Sequence, residues 1–316
     1  MKTRAVSTAA VAALALAGCG AGKTGSLTGT QSTTTKLPGS GKPPIAVGDS
    51  NVYPEQFVLG ALYEQALQSE GYSVTLNRNI GPPEVRIKAL ESGSVDFYPE
   101  YIDAWNSTIA GYRYGFQSAA KAYRAGQRYA LDHGLKLLNP TRFSDTPAIA
   151  VTLAYAINNG LNTIADLRRV AQTLTIGGPP QFQSTSPGLT DLQQTYRFAP
   201  AAFKTLPVGE QYTALDQNMV QAADVNTTDG QLVAGDYVLL KDPAHVFGWG
   251  NVVPVASQTA LETEGPAFVQ TVNRVSALLT TRVIRQLNAD VAVLNEDPIK
   301  VATQFLEAHG FTIAAQ

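Results

Sequence analysis

From residue 45 onward, apolar positions alternate between short continuous runs and runs with helical spacing. Ile45-Ala46-Val47-Gly48 reads as a strand. Over 57–69 the apolar residues Phe57, Leu59, Leu62, Tyr63, Ala66 and Leu67 recur on one helical face. Pro54 and Glu55 suit the first turn of that helix, and Gly71 suits its stop. Residues 72–76 read as a second strand, 85–90 as a helix stopped near Gly93, and 95–98 as a third strand. This β-α-β-α-β order predicts a parallel, doubly wound sheet, which takes ligands beyond the carboxyl ends of its strands, beside helix N-termini.

At such an end stands Val95-Asp96-Phe97-Tyr98-Pro99-Glu100-Tyr101-Ile102-Asp103-Ala104-Trp105, with four rings and several carboxylates where a strand should finish. A helix is expected over 118–132 and an apolar run over 148–153, after which the α/β rhythm restarts. Thr163-Ile164-Ala165-Asp166-Leu167 carries the pattern of a capped helix start. Strands are expected over 174–177, 222–225 and 236–240, and helices over 190–196 and after Val208. The run Asn251-Val252-Val253-Pro254-Val255 reads as a crossing back, and the tail as helices over 268–279, 282–293 and 299–309. The expected architecture is two α/β lobes, 43–146 completed by 252–316, and 147–251, with a cleft between them.

The N-terminus changes the picture of location. Lys2 and Arg4 precede a short apolar run, then Leu16-Ala17-Gly18-Cys19. The run is too short for a membrane span and fits a signal peptide over 1–18. A leucine and small residues before a cysteine form a lipobox, so the Cys19 thiol is expected to carry lipid. Cys19 is the single cysteine of the 316 residues, so no intrachain disulfide exists. Residues 19–42, rich in Gly, Ser and Thr, read as a flexible tether. The expectation is a globular body anchored by lipid outside the bacterial cell membrane. Net charge is −2, which leaves no electrostatic footprint for nucleic acid.

From about residue 44 to the end, the chain resembles the substrate-binding lipoproteins of bacterial osmoprotectant ABC importers, which bind glycine betaine, choline or carnitine. The resemblance rests on Glu55-Gln56 at a helix opening, Ala89-Leu90 through Tyr101, and Thr163–Leu167. It continues through Tyr212-Thr213-Ala214-Leu215, Thr227-Thr228-Asp229-Gly230, Asn251-Val252-Val253-Pro254 and Phe305-Leu306. It implies the type II periplasmic-binding-protein fold, two lobes with a ligand cleft, no cofactor and no metal. The implied partners are a small-molecule ligand, the transmembrane subunits of an ABC permease, and the membrane through Cys19; a monomer is expected.

The family's quaternary-ammonium binders use a tyrosine cage, whose ring faces attract cations at roughly 0.5–2 kcal/mol per contact. Tyr101 matches the first cage tyrosine. The resemblance places Pro147, Asn226 and Gly250 where the other three stand, and Asn51 and Thr185 where a lysine and an arginine would meet a ligand carboxylate. Three missing rings forfeit about 1.5–6 kcal/mol, roughly one to four decades of affinity. Tyr53, Trp105, Phe182 and Trp249 are the candidate replacement rings; Asn51, Thr146, Asn226, Thr227 and Asn251 are the candidate neutral hydrogen-bonding groups. The expected ligand is therefore neutral and ring-bearing, such as a phenolic or other cyclic compound. The alternative is a true betaine or choline binder with a rebuilt cage. Asp103 is read as a helix N-terminal carboxylate that could also meet a ligand cation.

Catalysis has no support in the pattern. His133, His245 and His309 are scattered, without metal-ligand spacing, and two precede glycines as helix C-terminal residues do. A surface enzyme or a structural lipoprotein would leave the family resemblance unexplained.

Overall fold

Short β-rich runs separated by helices build two sheets. The computed structural model describes residues 36–50, 54–112 and 115–312. In the order of the chain come β1 (Ile45–Gly48), β2 (Val74–Asn77), β3 (Phe97–Tyr101) and β4 (Leu135–Leu137) of the first sheet. The second sheet follows with β5 (Pro147–Thr152), β6 (Thr175–Gly178), β7 (Ala202–Thr205), β8 (Ala222–Asn226) and β9 (Tyr237–Leu240). Then β10 (Val252–Ser257) returns to the first. The strand orders are β2-β1-β3-β10-β4 and β7-β6-β8-β5-β9.

The parallel reading holds for part of each sheet only. β1 pairs in parallel with β2 and β3, but β10 lies antiparallel to β3 and β4. Likewise β5 is antiparallel to β8 and β9 while β6 is parallel to β7 and β8. Both sheets are therefore mixed. The reason is the crossing: Ser144 and Asn251 form an antiparallel bridge, so the chain leaves the first sheet and re-enters it in opposite directions.

The helix Pro54–Ser69 is enclosed almost all round: Val58, Leu59, Leu62, Tyr63 and Ala66 are fully buried. It packs with Phe97 of β3 and with Phe268, Val272 and Leu306 from the tail helices Pro266–Leu278 and Pro298–Ala308. Each such side chain taken from water contributes about 1.5–3 kcal/mol. The tail is thus a cover for the first sheet's core rather than an appendage. The opposite face of the sheet buries Tyr98, Trp105, Val253 and Val255. The second sheet buries one cluster on each face, around Ile149, Ile176 and Leu192 and around Leu215, Ala223 and Val225.

Local signals set several boundaries. Ser118 Oγ accepts the Lys121 N–H and starts the helix Ala119–Asp132. Thr163 and Asp166 form the expected capping box, but the helix they open, Ile164–Arg169, is 3-10. The apolar run over 148–153 divides at Thr152, whose hydroxyl accepts the Tyr155 N–H and caps a helix Leu153–Asn159. Trp105–Ile109 is a π turn rather than a regular helix start. His133 and His309 are the C-caps of their helices, as their glycine neighbours imply. Among the described residues, no helix is long and apolar enough to cross a membrane.

Candidate functional site

The ring-rich stretch at the end of β3 divides between two cores. Alternation along the strand sends Phe97 to one face, edge-on to Tyr63 and Phe268 at 5.6 Å each. It sends Tyr98 to the other, where the Arg86 guanidinium lies 5.7 Å from its ring centre. Glu100 is fully buried and pairs with Arg86 at 3.1 Å, and one of its oxygens also accepts the Tyr101 N–H at 2.9 Å. Burial outweighs Arg86 and pushes the Glu100 carboxyl up to about 7. Trp105 is fully buried, donates Nε1–H to the Gly126 carbonyl at 3.2 Å and meets Tyr129 edge-on at 5.9 Å. It is a core residue, so the sequence expectation of Trp105 as a replacement cage ring is corrected.

The crossing takes up many of the polar residues expected to meet ligand. Thr146 and Thr227 exchange bonds: Thr146 N–H reaches Thr227 Oγ1 and Thr227 N–H reaches the Thr146 carbonyl, both at 3.0 Å. The Thr227 hydroxyl donates to the Ser144 carbonyl at 2.7 Å. Asn251 Nδ2 is shared between the carbonyls of Thr141 and Phe143 at 3.1 and 2.8 Å. Pro147 faces Asn226 across the β5–β8 register. Gly250 N–H donates to Ser144 Oγ at 2.8 Å, and a Cβ on Gly250 would stand 1.6 Å from the Asp145 carbonyl oxygen. The position aligned with a cage tyrosine therefore has no room for any side chain while the crossing keeps this path.

Tyr101, the residue matched to the family's first cage tyrosine, is 9% exposed and donates its hydroxyl to Glu55 Oε1 at 2.8 Å. Asn288 Nδ2 joins the other Glu55 oxygen to the Thr228 carbonyl, both at 2.9 Å. Arg285 Nε donates to the Thr227 carbonyl at 2.8 Å. The helix Thr281–Asn288 thus ties the loop after β8 to the start of the helix Pro54–Ser69. Burial raises the Glu55 carboxyl, and burial together with the neighbouring Glu55 raises Asp145 well above the usual carboxylate range.

A cavity of about 300 Å³ lies between residues 103, 106–107, 112, 115–116 and 122 on one side and the loops 186–187 and 246–249 on the other. Asp103, Tyr112, Phe116, Phe247 and Trp249 line it. Trp249 Nε1 donates to the Phe116 carbonyl at 2.8 Å, which holds the two sides together, and Tyr112 meets Phe116 edge-on at 5.6 Å. A second cavity of about 260 Å³ contains Thr146, Pro147 and Thr227 with Lys241 and His245, and shares Phe247 and Gly248 with the first. Phe182, expected near the ligand, is instead buried between Phe203 and Phe247, at 6.3 and 6.4 Å. Its place after Pro179-Pro180 puts it in a five-residue helix, Pro180–Ser184, turned into the core of the second sheet. Thr185 is exposed and bonds back to the Gln181 carbonyl at 2.8 Å, beside Ser186 and Pro187 of the first cavity's rim. Asn51, Tyr53 and Cys19 lie outside the described residues. Tyr112, Phe116 and Phe247 had no sequence signal beyond being rings near glycines. No group of three His, Cys, Asp or Glu among the described residues is placed to hold a metal ion.

Two mixed sheets joined by an antiparallel double crossing form a known arrangement. Residues 43–308 match the profile of the substrate binding domain of the ABC-type glycine betaine transport system. The chain belongs to that family. It is 30% identical over 270 residues to the glycine-betaine-binding protein of Pseudomonas aeruginosa, which covers 81% of this chain and 85% of that one. It is 28% identical over 288 residues to the Escherichia coli glycine betaine-binding protein YehZ, covering 87% of this chain and 94% of that one. The crystal structure of apo YehZ superposes with a TM-score of 0.74 over 85% of this chain and 99% of the other. The structure of a glycine betaine/carnitine/choline ABC transporter protein superposes at 0.79 with 22% identity, over 84% of this chain and 99% of that one, and shares the fold. The fold is the bilobed periplasmic-binding-protein fold, and the chain is a solute-binding protein rather than an enzyme.

Proposed function

We propose that the protein is the lipid-anchored receptor of an ABC importer, taking a ring-bearing ligand without a carboxylate into the cleft between residues 43–146 with 252–316 and residues 147–251. The observation that carries the ligand reading is the charge of the cavity. Its described lining holds Asp103 and no Lys, Arg or His. Glycine betaine and carnitine would set a carboxylate against that carboxylate, with no cation among the described lining residues to meet it, and a like charge in one cavity is unfavourable. The described residues also put no ring at Pro147, Asn226 or Gly250. The importer reading is supported by membership of the family and by the relatives named above.

Anchoring is supported by Leu16-Ala17-Gly18-Cys19 and by the polar stretch after it. Replacing Cys19 by Ala is expected to move the protein from the membrane fraction to the soluble extracytoplasmic fraction. Retention of Cys19→Ala on membranes would count against it. The same protein is expected to run as a monomer on a sizing column.

A second reading has an observation of its own. Tyr112, Phe116 and Trp249 meet in one cavity and amount to a set of rings different from the family's tyrosines. A quaternary ammonium ligand without a carboxylate, such as choline, would use those faces by cation–π attraction.

A further inference from the structure

The polar groups of the ring-lined cavity accept hydrogen bonds and have few to give. Asp103 presents a carboxylate whose Oδ1 takes the Ala104 N–H at 2.8 Å, and no ion pair among the described residues includes it. Asn106 also lines the cavity and is 3% exposed. Its Nδ2 donates to the Ala122 carbonyl at 3.1 Å, which sets the orientation of the amide and makes Oδ1 the atom with no hydrogen-bond partner. The Ser107 hydroxyl donates to the Asp103 carbonyl oxygen at 2.8 Å. The rings of Tyr112, Phe116 and Trp249 line the same space, and His245 packs on Trp249 at 4.4 Å; the faces of such rings are negative. A half-buried carboxylate and several rings, with no basic side chain in the described lining, are complementary to a cation that carries N–H groups.

Resting on the reading of this cleft as the ligand site, we infer that Asp103 is its specificity residue, and that it selects a protonated amine on a ring-bearing body. The ammonium N–H donates to the Asp103 carboxylate while the ring lies against Tyr112, Phe116 and Trp249. Each competing class lacks one part of this match. A quaternary ammonium has charge but no N–H for the carboxylate. A zwitterion brings a second carboxylate. A neutral alcohol or phenol leaves the charge of Asp103 uncompensated in a site from which the ligand has displaced water. Burial pushes the Asp103 carboxyl up to about 6, as it does where no counter-charge faces the group. Above that value Asp103 is ionised and the amine is protonated, so both partners are charged at neutral pH.

The test is titration calorimetry at pH 7.5 with 2-phenylethylamine, its neutral counterpart 2-phenylethanol, choline and glycine betaine. The amine is expected to bind tightest. Asp103→Asn is expected to weaken the amine by about 10- to 100-fold, the range of a hydrogen bond to a charged group, and to leave 2-phenylethanol binding at least as tightly as before, since the uncompensated charge is gone, which also shows that the variant is folded. Arg113 lies outside the described residues beside Tyr112, so an Arg113→Gln arm is included and is expected to leave the amine's affinity as it was. The inference is overturned by an unchanged amine affinity in Asp103→Asn, by 2-phenylethanol binding as tightly as the amine, by a tenfold gain in Arg113→Gln, or by no probe binding at all. The cleft reading fails on a different result: if Phe247→Ala and Trp249→Ala leave the binding of every probe that binds unaltered, the ligand lies elsewhere.

Discussion

Replacing Gly250 by Ala is expected to destabilise the protein by about 3 kcal/mol or more, at the upper end of what overpacking costs. The Cβ would stand 1.6 Å from the Asp145 carbonyl oxygen and 2.6 Å from its carbon, both backbone atoms that no rotamer change moves. The same two residues are joined by the Asp145 N–H, which donates to the Gly250 carbonyl at 2.9 Å. The strands of the crossing would have to separate and give up that bond. Total stabilities are only about 5–15 kcal/mol, so the change should be plain in the urea midpoint. An unchanged midpoint would mean that the crossing relaxes freely. For function the consequence is direct: a tyrosine at 250 would not restore a cage, because the backbone path itself excludes it.

Replacing Arg86 by Met is expected to cost about 3–5 kcal/mol at pH 8, the range for removing one partner of a buried pair. Glu100 is fully buried, and its remaining bond comes from the Tyr101 N–H. The sign of the pH dependence follows from the raised carboxyl. Glu100 titrates near 7 in the folded protein, above the ordinary value of 4.5, so the native state holds its proton between those values while the unfolded chain has released it. Ionising Glu100 therefore lowers stability as pH rises through 7. Without Arg86 that carboxyl rises further, so the deficit of the variant grows above pH 7 and shrinks towards pH 5. Denaturant midpoints of the two proteins at pH 5 and pH 8 check this. An equal gap at both values would show that Arg86 acts by packing on Tyr98 rather than by charge.

What the sequence discloses depends on whether a signal is local. The first helix, with its apolar face from Phe57 to Leu67, and the cap at Ser118 were legible because spacing and capping are properties of neighbouring residues. The direction of β10 was not, since Val252-Val253-Pro254-Val255 is equally apolar read either way; only the bridge between Ser144 and Asn251 sets it. The three residues of β4 and the four of β7, three of them exposed, were too short to stand out. Among the candidate site residues, Trp249 lines the 300 Å³ cavity. Thr227 and Asn251 carry the right chemistry for a ligand, yet their side-chain bonds serve the crossing, a long-range demand that residue type cannot reveal. Phe182 and Trp105 are rings beside functional-looking motifs whose burial is decided by tertiary packing. Phe116 and Phe247 enter the cavity from distant segments, and nothing in either segment alone marks them.

Zwitterionic and classical quaternary ligands are expected to bind this cleft poorly. The most direct measurement is titration calorimetry of the purified protein with glycine betaine, carnitine and choline. Kd values of about 1 mM or weaker are expected for all three: for glycine betaine and carnitine because Asp103 opposes the ligand carboxylate, and for choline because three cage positions lack rings and its ammonium has no N–H for Asp103. A Kd of about 1 µM for any of them would contradict it and would establish Tyr112, Phe116 and Trp249 as a rebuilt cage.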